Sequence, residues 1–330
     1  MREIYRILDA NFNRTREALR VIEECGRFAL NDPAITAMAK CFRSELKETL
    51  DHLPAEEFIT TRDTAGDFGT ELTSPSEPQR QDIQDVATAA CKRLTESLRT
   101  IEEYCKVVAP EQTVAVERMR YDAYTLEQRL CGRFIVSKRF GEVKLYVMLS
   151  SNLCKGGSLR EVARAAIAGG ADAIQLREKQ TPDDVHLAMA AELRELTDQT
   201  DKLLIINDRA DIAAIVGADG LHLGQEDLPI AEARRLLRPG AIIGRSCHCV
   251  REAREAINEG ADYVALGAIF ATKTKDRPPV GPGLLEEMAE AFTDFPLPVV
   301  AVGGIDADNV AEVLQRGAKC IAVCAAVNCA

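Results

Sequence analysis

From Glu142 onward, short apolar runs alternate with amphipathic helical stretches, and this alternation leaves few architectures open. The runs are 144–149, 173–176, 203–206, 221–223, 242–244, 263–269, 298–302 and 321–324, with helix-period segments such as 159–168 and 182–196 between them. Glycines at 169–170, 260 and 317 suit helix C-termini. Near-continuous apolar strands are buried on both faces, which requires a parallel sheet covered by helices. Eight such units in order predict a (β/α)8 TIM barrel, preceded by an all-α helical domain. A doubly wound open sheet is the alternative, but no Gly-x-Gly-x-x-Gly follows the first run. The sequence reaches Ala330 just after the eighth run, so a final strand without its covering helix is expected, with an open edge that loosens the site beside it.

The 330 residues are too many for one small domain. We expect a helical domain over 1–135 and a barrel over 142–330. Helices are predicted over 13–30, 33–50, 84–108 and 113–130, the first with Asn11 or Asn13 as N-cap. The segment from Arg14 to Glu24 recurs at Arg93 to Glu103, with Arg, Glu, Leu, Arg, Ile, Glu and Glu in step, which points to a pseudo-twofold pair of helices. On each helix Arg14/Arg93, Glu17/Glu96, Arg20/Arg99 and Glu24/Glu103 fall at i+3 or i+4 spacing. They form either a solvated salt-bridged face or two ion-pair clusters lining a polar cleft. Between the repeats, the loop from Thr60 to Thr70 carries Arg62 and Asp67 among hydroxyls and glycines. Such backbone suits a phosphate or a metal, or a plain surface turn. No Gly-rich P-loop is present.

In the barrel, chemistry belongs at the C-terminal ends of the strands. The second strand alternates, so Gln175, Arg177 and Lys179 share its inner face. Two cations facing inward call for an anion, unless the charged end of the strand simply reaches solvent. Arg177, Lys179 and Lys275 supply charge for a diphosphate, and Asn207 and Ser246 are neutral donors. Asp208 and Asp227 follow adjacent strands, where they cap helices or share a hard cation, magnesium by preference. Gly303-Gly304 either make only a tight turn or, with the turn at Cys324-Ala325, occupy the end where barrels bind monophosphates through backbone N–H groups, which their position after the seventh strand favours. One Mg-diphosphate site beside one monophosphate site implies two phosphorylated substrates and alkyl transfer with loss of pyrophosphate.

A net charge of −11 argues against a general nucleic-acid binder. No apolar run approaches a membrane span and no signal peptide opens the chain, so a cytoplasmic location is expected, with a homo-oligomer allowed. The 11 cysteines show no regular spacing, which fits a reducing compartment. Cys247-His248-Cys249 has no second pair at zinc spacing.

Residues 142–330 resemble thiamine-phosphate synthase through Gln-Leu-Arg-Glu-Lys (175–179), Ile-Asn-Asp (206–208), Gly-Leu-His-Leu-Gly-Gln-Glu-Asp (220–227), Thr-Lys-Thr-Lys (272–275) and Val-Gly-Gly-Ile (302–305). The resemblance implies that hydroxymethylpyrimidine diphosphate joins thiazole phosphate, giving thiamine phosphate and pyrophosphate through a pyrimidine-methyl cation. It implies that Gln175, Leu176, Arg177, Glu178, Lys179, Asn207, Ser246 and Lys275 meet the pyrimidine diphosphate, with Arg177, Lys179, Ser246 and Lys275 catalytic. Asp208 and Asp227 then hold Mg2+, and Thr272, Lys273, Thr274, Gly304, Cys324 and Ala325 hold the thiazole phosphate. Family members often carry Ser where Ala325 stands, so the backbone amide serves there. A thiazole tautomerase of the same fold is the alternative, with His248 as its acid/base and the helical part as a docking module. The helix from Asn11 to Glu24 and the 62–70 loop resemble a helical domain proposed as an alternative hydroxymethylpyrimidine-phosphate kinase. By that resemblance Arg14, Arg20, Glu24, Arg62, Asp67, Arg93, Arg99 and Glu103 are candidate site residues, with ATP as a further substrate.

Overall fold

The computed structural model describes residues 1–330 except 31, 64–65, 68–78, 156, 239, 273–277, 293–297 and 330. The chain divides into two compact units, Met1–Gly132 and Arg133–Ala330.

In the first unit, α1 (Arg2–Glu24) continues into a π-helical turn, Cys25–Ala29, and is followed by α2 (Pro33–Asp51), α3 (Ala55–Thr61), α4 (Ile83–Val108) and the start of α5 (Thr113–Gly141). The helix predicted from Asn13 begins at Arg2 instead. Asn11 and Asn13 do not cap it: Asn11 Nδ2 donates to Ile7 O (2.8 Å) and Asn13 Nδ2 to Asp9 Oδ1 (3.2 Å). Both amides bond back to residue i−4 inside a continuing helix, where a capping preference has no free N–H to serve. The repeated helices α1 and α4 pack through Ala18, Leu19, Ile22, Leu94, Leu98 and Ile101, all buried. A buried Thr15 Oγ1···Ser97 Oγ bond of 2.8 Å links them.

In the second unit, eight parallel strands close on themselves in sequence order. They are β1 (Leu145–Leu149), β2 (Ala173–Leu176), β3 (Leu203–Asn207), β4 (Gly220–Leu223), β5 (Ile242–Cys247), β6 (Tyr263–Leu266), β7 (Val299–Val302) and β8 (Cys320–Val323). Helices α6 (Leu159–Ala168), α7 (Asp183–Thr200), α8 (Ala210–Ile215), α9 (Ile230–Leu236), α10 (Val250–Asn258), α11 (Gly283–Ala291) and α12 (Val310–Gln315) follow strands one to seven. Ile174, Leu204, Ile206, Leu221, Ile243 and Val264 are fully buried between strands and helices. A second core fills the barrel itself, where Phe140 stacks on Tyr263 at 4.2 Å between ring centres.

Gly-Ala-Asp precedes β2, β4 and β6, and each Asp ties its strand to the one before. Asp172 accepts from Leu145 N (3.1 Å), Asp219 from Leu204 N (2.9 Å) and Asp262 from Ile243 N (2.7 Å). At β8 Lys319 takes that place. The Asp262 side chain, 5% exposed, lies between Arg133 and Arg234. Burial alone would raise its pKa, but the two guanidinium groups and the Ile243 N–H hold it below the usual carboxylate range.

The expected open edge is absent from the described strands. β8 pairs with β1, Tyr146 opposite Ala322, and a one-turn helix, α13 (Ala325–Asn328), follows it. Asn328 is buried there. Its Nδ2 donates to Met148 O and Cys324 O, both at 2.7 Å, and its Oδ1 accepts from Ser150 N at 3.1 Å. One amide thus clasps the ends of β1 and β8, a contact between residues 178 to 180 apart that no local pattern announces.

Candidate active site at the barrel mouth

A cavity of about 380 Å3 opens at the C-terminal ends of the strands, within the size range of small-molecule sites. Alternation along β2 sends Gln175 and Arg177 into it, as the sequence predicts, whereas Lys179, expected on the same face, is half-exposed and does not line it. The same alternation turns Leu176 and Glu178 away. Leu176 belongs to the outer core. Glu178 accepts from Ser151 N (2.6 Å), Ser151 Oγ (3.0 Å) and Thr181 Oγ1 (2.7 Å). Neither lines the cavity: Leu176 packs in the outer core, and Glu178 ties the loops after β1 and β2 together beside Arg177.

Two amide atoms in the wall are buried and lack a protein partner: Gln175 Oε1, an acceptor, and Asn207 Nδ2, a donor. Buried polar atoms are normally paired, so these two stand out among the residues that line the cavity. The Arg177 guanidinium has no ion pair among the described residues.

Asp208 follows Asn207 with φ of 61°, a left-handed turn anchored by its N–H to His222 O (2.8 Å). That turn directs its carboxyl toward Asp227, with Lys179 Nζ 2.5 Å from Asp208 Oδ2. Burial first, then the neighbouring Asp227, raises the pKa of Asp208. Burial pushes Asp227 up as well, but the hydrogen bond to Asp208, the Gly224 N–H, Lys179 and Arg245 carry it down. Two carboxyls therefore crowd one position that already attracts an ammonium group. Among the described residues no three His, Cys, Asp or Glu side chains converge on a metal position. The pair fits a hard divalent cation whose remaining ligands are phosphate oxygens and water.

On the opposite wall, Gly303 and Gly304 have φ of 105° and 64°. A Cβ on Gly304 would lie 2.6 Å from Ala271 O, so the turn admits only glycine. Asn309 Nδ2 holds Gly304 O at 2.8 Å. Thr272, Gly304, Cys324 and Ala325 all border the cavity, while Lys273, Thr274 and Lys275 lie outside the described residues.

The sequence reading missed three residues of the floor. Gln175 Nε2 donates to Tyr146 Oη (2.8 Å), which meets Tyr263 Oη (3.1 Å). Tyr263 Oη meets His222 Nδ1 (2.9 Å), and His222 Nε2 meets Ser246 Oγ (2.9 Å). Inward parity on β1, β4 and β6 was the available signal. Gly244 makes room for this line, since a Cβ there would fall 1.9 Å from Tyr263 Cζ.

His248, the acid/base of the alternative reading, does not line the cavity. Its Nδ1 and backbone N–H both engage Glu252 Oε2 at 2.8 Å, a helix-start contact. Burial pushes the Cys247 thiol up to about 12.

In the helical unit the repeated pairs Arg20–Glu24 (2.8 Å) and Arg99–Glu103 (2.7 Å) form, on exposed side chains. Arg14 and Arg93 make no ion pair among the described residues. The organising carboxylates are instead the buried Glu23 and Glu102, equivalent in the repeat. Glu23 meets Arg43 (2.5 Å), Arg27 (3.8 Å) and Arg20 (4.0 Å). Glu102 meets Arg99 (2.6 Å), Arg120 (2.7 Å) and Lys106 (3.9 Å). Arg62 is bidentate to Asp9 (2.8 and 2.7 Å), Asp67 is exposed, and residues 64–65 and 68–70 of their loop lie outside the described residues.

Residues 145–327 match the family described as thiamine monophosphate synthase, and residues 6–129 match the ThiD2 family. The thiamine-phosphate synthase of a Synechocystis species is 41% identical over 325 residues, 98% of this chain and 91% of that protein. That of a Nostoc species is 42% identical over 323 residues, 97% of this chain and 88% of the relative. Among solved structures, the thiamine phosphate pyrophosphorylase of Pyrococcus furiosus is 40% identical, covers 58% of this chain and 90% of its own, and superposes with a TM-score of 0.52.

Proposed function

This chain belongs to the thiamine-phosphate synthase family, and we propose that its barrel joins a pyrimidine-methyl diphosphate to a thiazole phosphate, releasing pyrophosphate. The observation that carries this reading is the pair of unpartnered buried amide atoms, Gln175 Oε1 and Asn207 Nδ2, in one cavity with Arg177. An aminopyrimidine donates to the first, and diphosphate oxygens accept from the second.

The bond that breaks is the methylene C–O bond of the diphosphate, and its electron pair leaves with pyrophosphate. Arg177, Lys179, Asn207 and Ser246 stabilise the charge that grows there, joined by Lys275 on the strength of the resemblance. The thiazole nitrogen forms the new C–N bond with its lone pair. No proton leaves that nitrogen, so no side-chain base is required. Asp208 and Asp227 would hold Mg2+, which supplies charge neutralisation for the leaving diphosphate. Thr272, Gly304 and the Cys324–Ala325 backbone bind the thiazole phosphate, with Lys273 and Thr274 assigned by resemblance. Met148, Val300, Val302 and Ile305 in the cavity lining give the cationic carbon an apolar surround that excludes water.

For the helical unit, we propose transfer of the γ-phosphoryl group of ATP to the pyrimidine monophosphate, supplying the diphosphate to the barrel. The test uses the whole chain with Mg2+ and thiazole phosphate. One arm receives pyrimidine diphosphate, the other pyrimidine monophosphate with ATP. Thiamine phosphate in both arms is expected. Product in the first arm alone sinks the kinase reading, and none in the first sinks the barrel reading.

A further inference from the structure

Five strands contribute one side chain each to the hydrogen-bonded line Gln175, Tyr146, Tyr263, His222, Ser246. All five are buried, and the two tyrosines and Gln175 almost fully so. Burial keeps both tyrosine hydroxyls protonated by pushing their pKa values up. Each hydroxyl then has one hydrogen to give, so with a neutral His222 imidazole the line has two consistent directions.

In the first, Gln175 Nε2–H donates to Tyr146, Tyr146 to Tyr263, and Tyr263 to a bare His222 Nδ1. The imidazole proton then sits on Nε2 and is donated to Ser246 Oγ. The Ser246 hydrogen is released from the line, and Gln175 Oε1 is left as the unused acceptor at its other end. In the second, Ser246 donates to a bare His222 Nε2 and every bond reverses, ending on a turned-over Gln175 amide. Ser246 then offers only lone pairs and Gln175 only N–H. A mixed arrangement strands a buried hydroxyl hydrogen or sets two hydrogens against each other.

We infer that Tyr146, Tyr263 and His222 are positioning residues that hold His222 as its Nε2–H tautomer and so aim the Ser246 hydroxyl at the diphosphate. This rests on the pyrimidine diphosphate reading, because an anion beside Ser246 needs a donor and selects the first direction. That same direction presents the acceptor at Gln175. A ring amino group at one end and an anionic leaving group at the other therefore favour each other through the line. The ligand class selected is an aromatic amine carrying a diphosphate, and a ligand with only one of these features meets a mismatched far end.

The test is 15N NMR of the full chain labelled at its four histidines, with inorganic pyrophosphate added and the His222 signal identified by its loss in His222→Asn. Protonated Nε2 and bare Nδ1 are expected. Tyr263→Phe removes the donor to Nδ1 and is expected to bring up the Nδ1–H tautomer. Tyr146→Phe leaves His222 Nδ1 as the one acceptor in the line for the Tyr263 hydrogen, so there the Nε2–H tautomer is expected to persist. In turnover, Ser246→Ala is expected to lower kcat about a hundredfold and Tyr263→Phe about tenfold, with KM for thiazole phosphate unchanged. The double variant should be no slower than Ser246→Ala alone, since both act through one hydroxyl. Nδ1–H in the native protein, or losses that multiply, would overturn the relay. The tautomer is read without turnover, so a protein that shows Nε2–H yet makes no thiamine phosphate from the diphosphate overturns the substrate reading while supporting the relay.

Discussion

Replacing Gln175 by Leu removes the acceptor that the cavity offers to a ring amino group while nearly keeping the side chain's volume. Gln175 is 1% exposed, and its Oε1 has no protein partner. With the aminopyrimidine substrate, the Leu variant leaves the amine facing an apolar wall. Stranding a buried polar group costs about 1–3 kcal/mol, which is about a 5- to 150-fold loss of kcat/KM. An analogue with hydrogen in place of the amino group reverses the argument. In the native protein it strands Oε1, at a similar cost, and in the Leu variant it strands nothing. The native preference for the amino substrate, expected at about 5- to 150-fold, should thus collapse toward one in Gln175→Leu. The assay is pyrophosphate release with both substrates and both proteins. Tyr146 loses the Gln175 donor but keeps Tyr263, so a thermal unfolding curve checks that the fold survives. Native protein that treats the two substrates alike, or a Leu variant that keeps the preference, would refute Gln175 as the reader of the ring.

Other changes probe the remaining parts. Asp227→Ala is expected to abolish Mg-dependent pyrophosphate release, and intact activity in a metal titration would remove Asp227 from the cation site. Gly304→Ala puts a Cβ 2.6 Å from Ala271 O at φ of 64°. It should raise KM for thiazole phosphate more than for the pyrimidine diphosphate, and equal changes in steady-state kinetics would contradict the two-site map. Asp262→Ala leaves Arg133 and Arg234 buried without their carboxylate. A loss of about 3–5 kcal/mol is expected in denaturant unfolding of the barrel. Because the Asp262 pKa is depressed in the folded state, its contribution is present above the unfolded value of about 3.9 and fades as pH falls through the folded one. The gap between native and variant stability should narrow accordingly in acid.

The eight strands were legible because their signal is local: a short apolar run has the same meaning wherever it lies, and a period of two tells inner from outer faces. That rule put Gln175 and Arg177 in the cavity. Applied strictly, it also turns Leu176 and Glu178 away, and the motif-based grouping of 175–179 as one binding segment obscured this. In the helical unit the repeat drew notice to exposed pairs such as Arg20–Glu24. The carboxylates that gather three cations each, Glu23 and Glu102, are one position away, and only packing distinguishes a buried glutamate from an exposed one.

The sequence by itself determined the order of strands and helices, the barrel class, the family motifs and the sign of charge at each strand end. Tertiary structure alone decided which of those ends meet. Tyr146 and Tyr263 are 117 residues apart, and Asn328 reaches Met148 across 180. Such contacts depend on how a closed sheet staggers its strands and which side chain of each lands in a given layer, a property of all eight strands together that no single segment encodes.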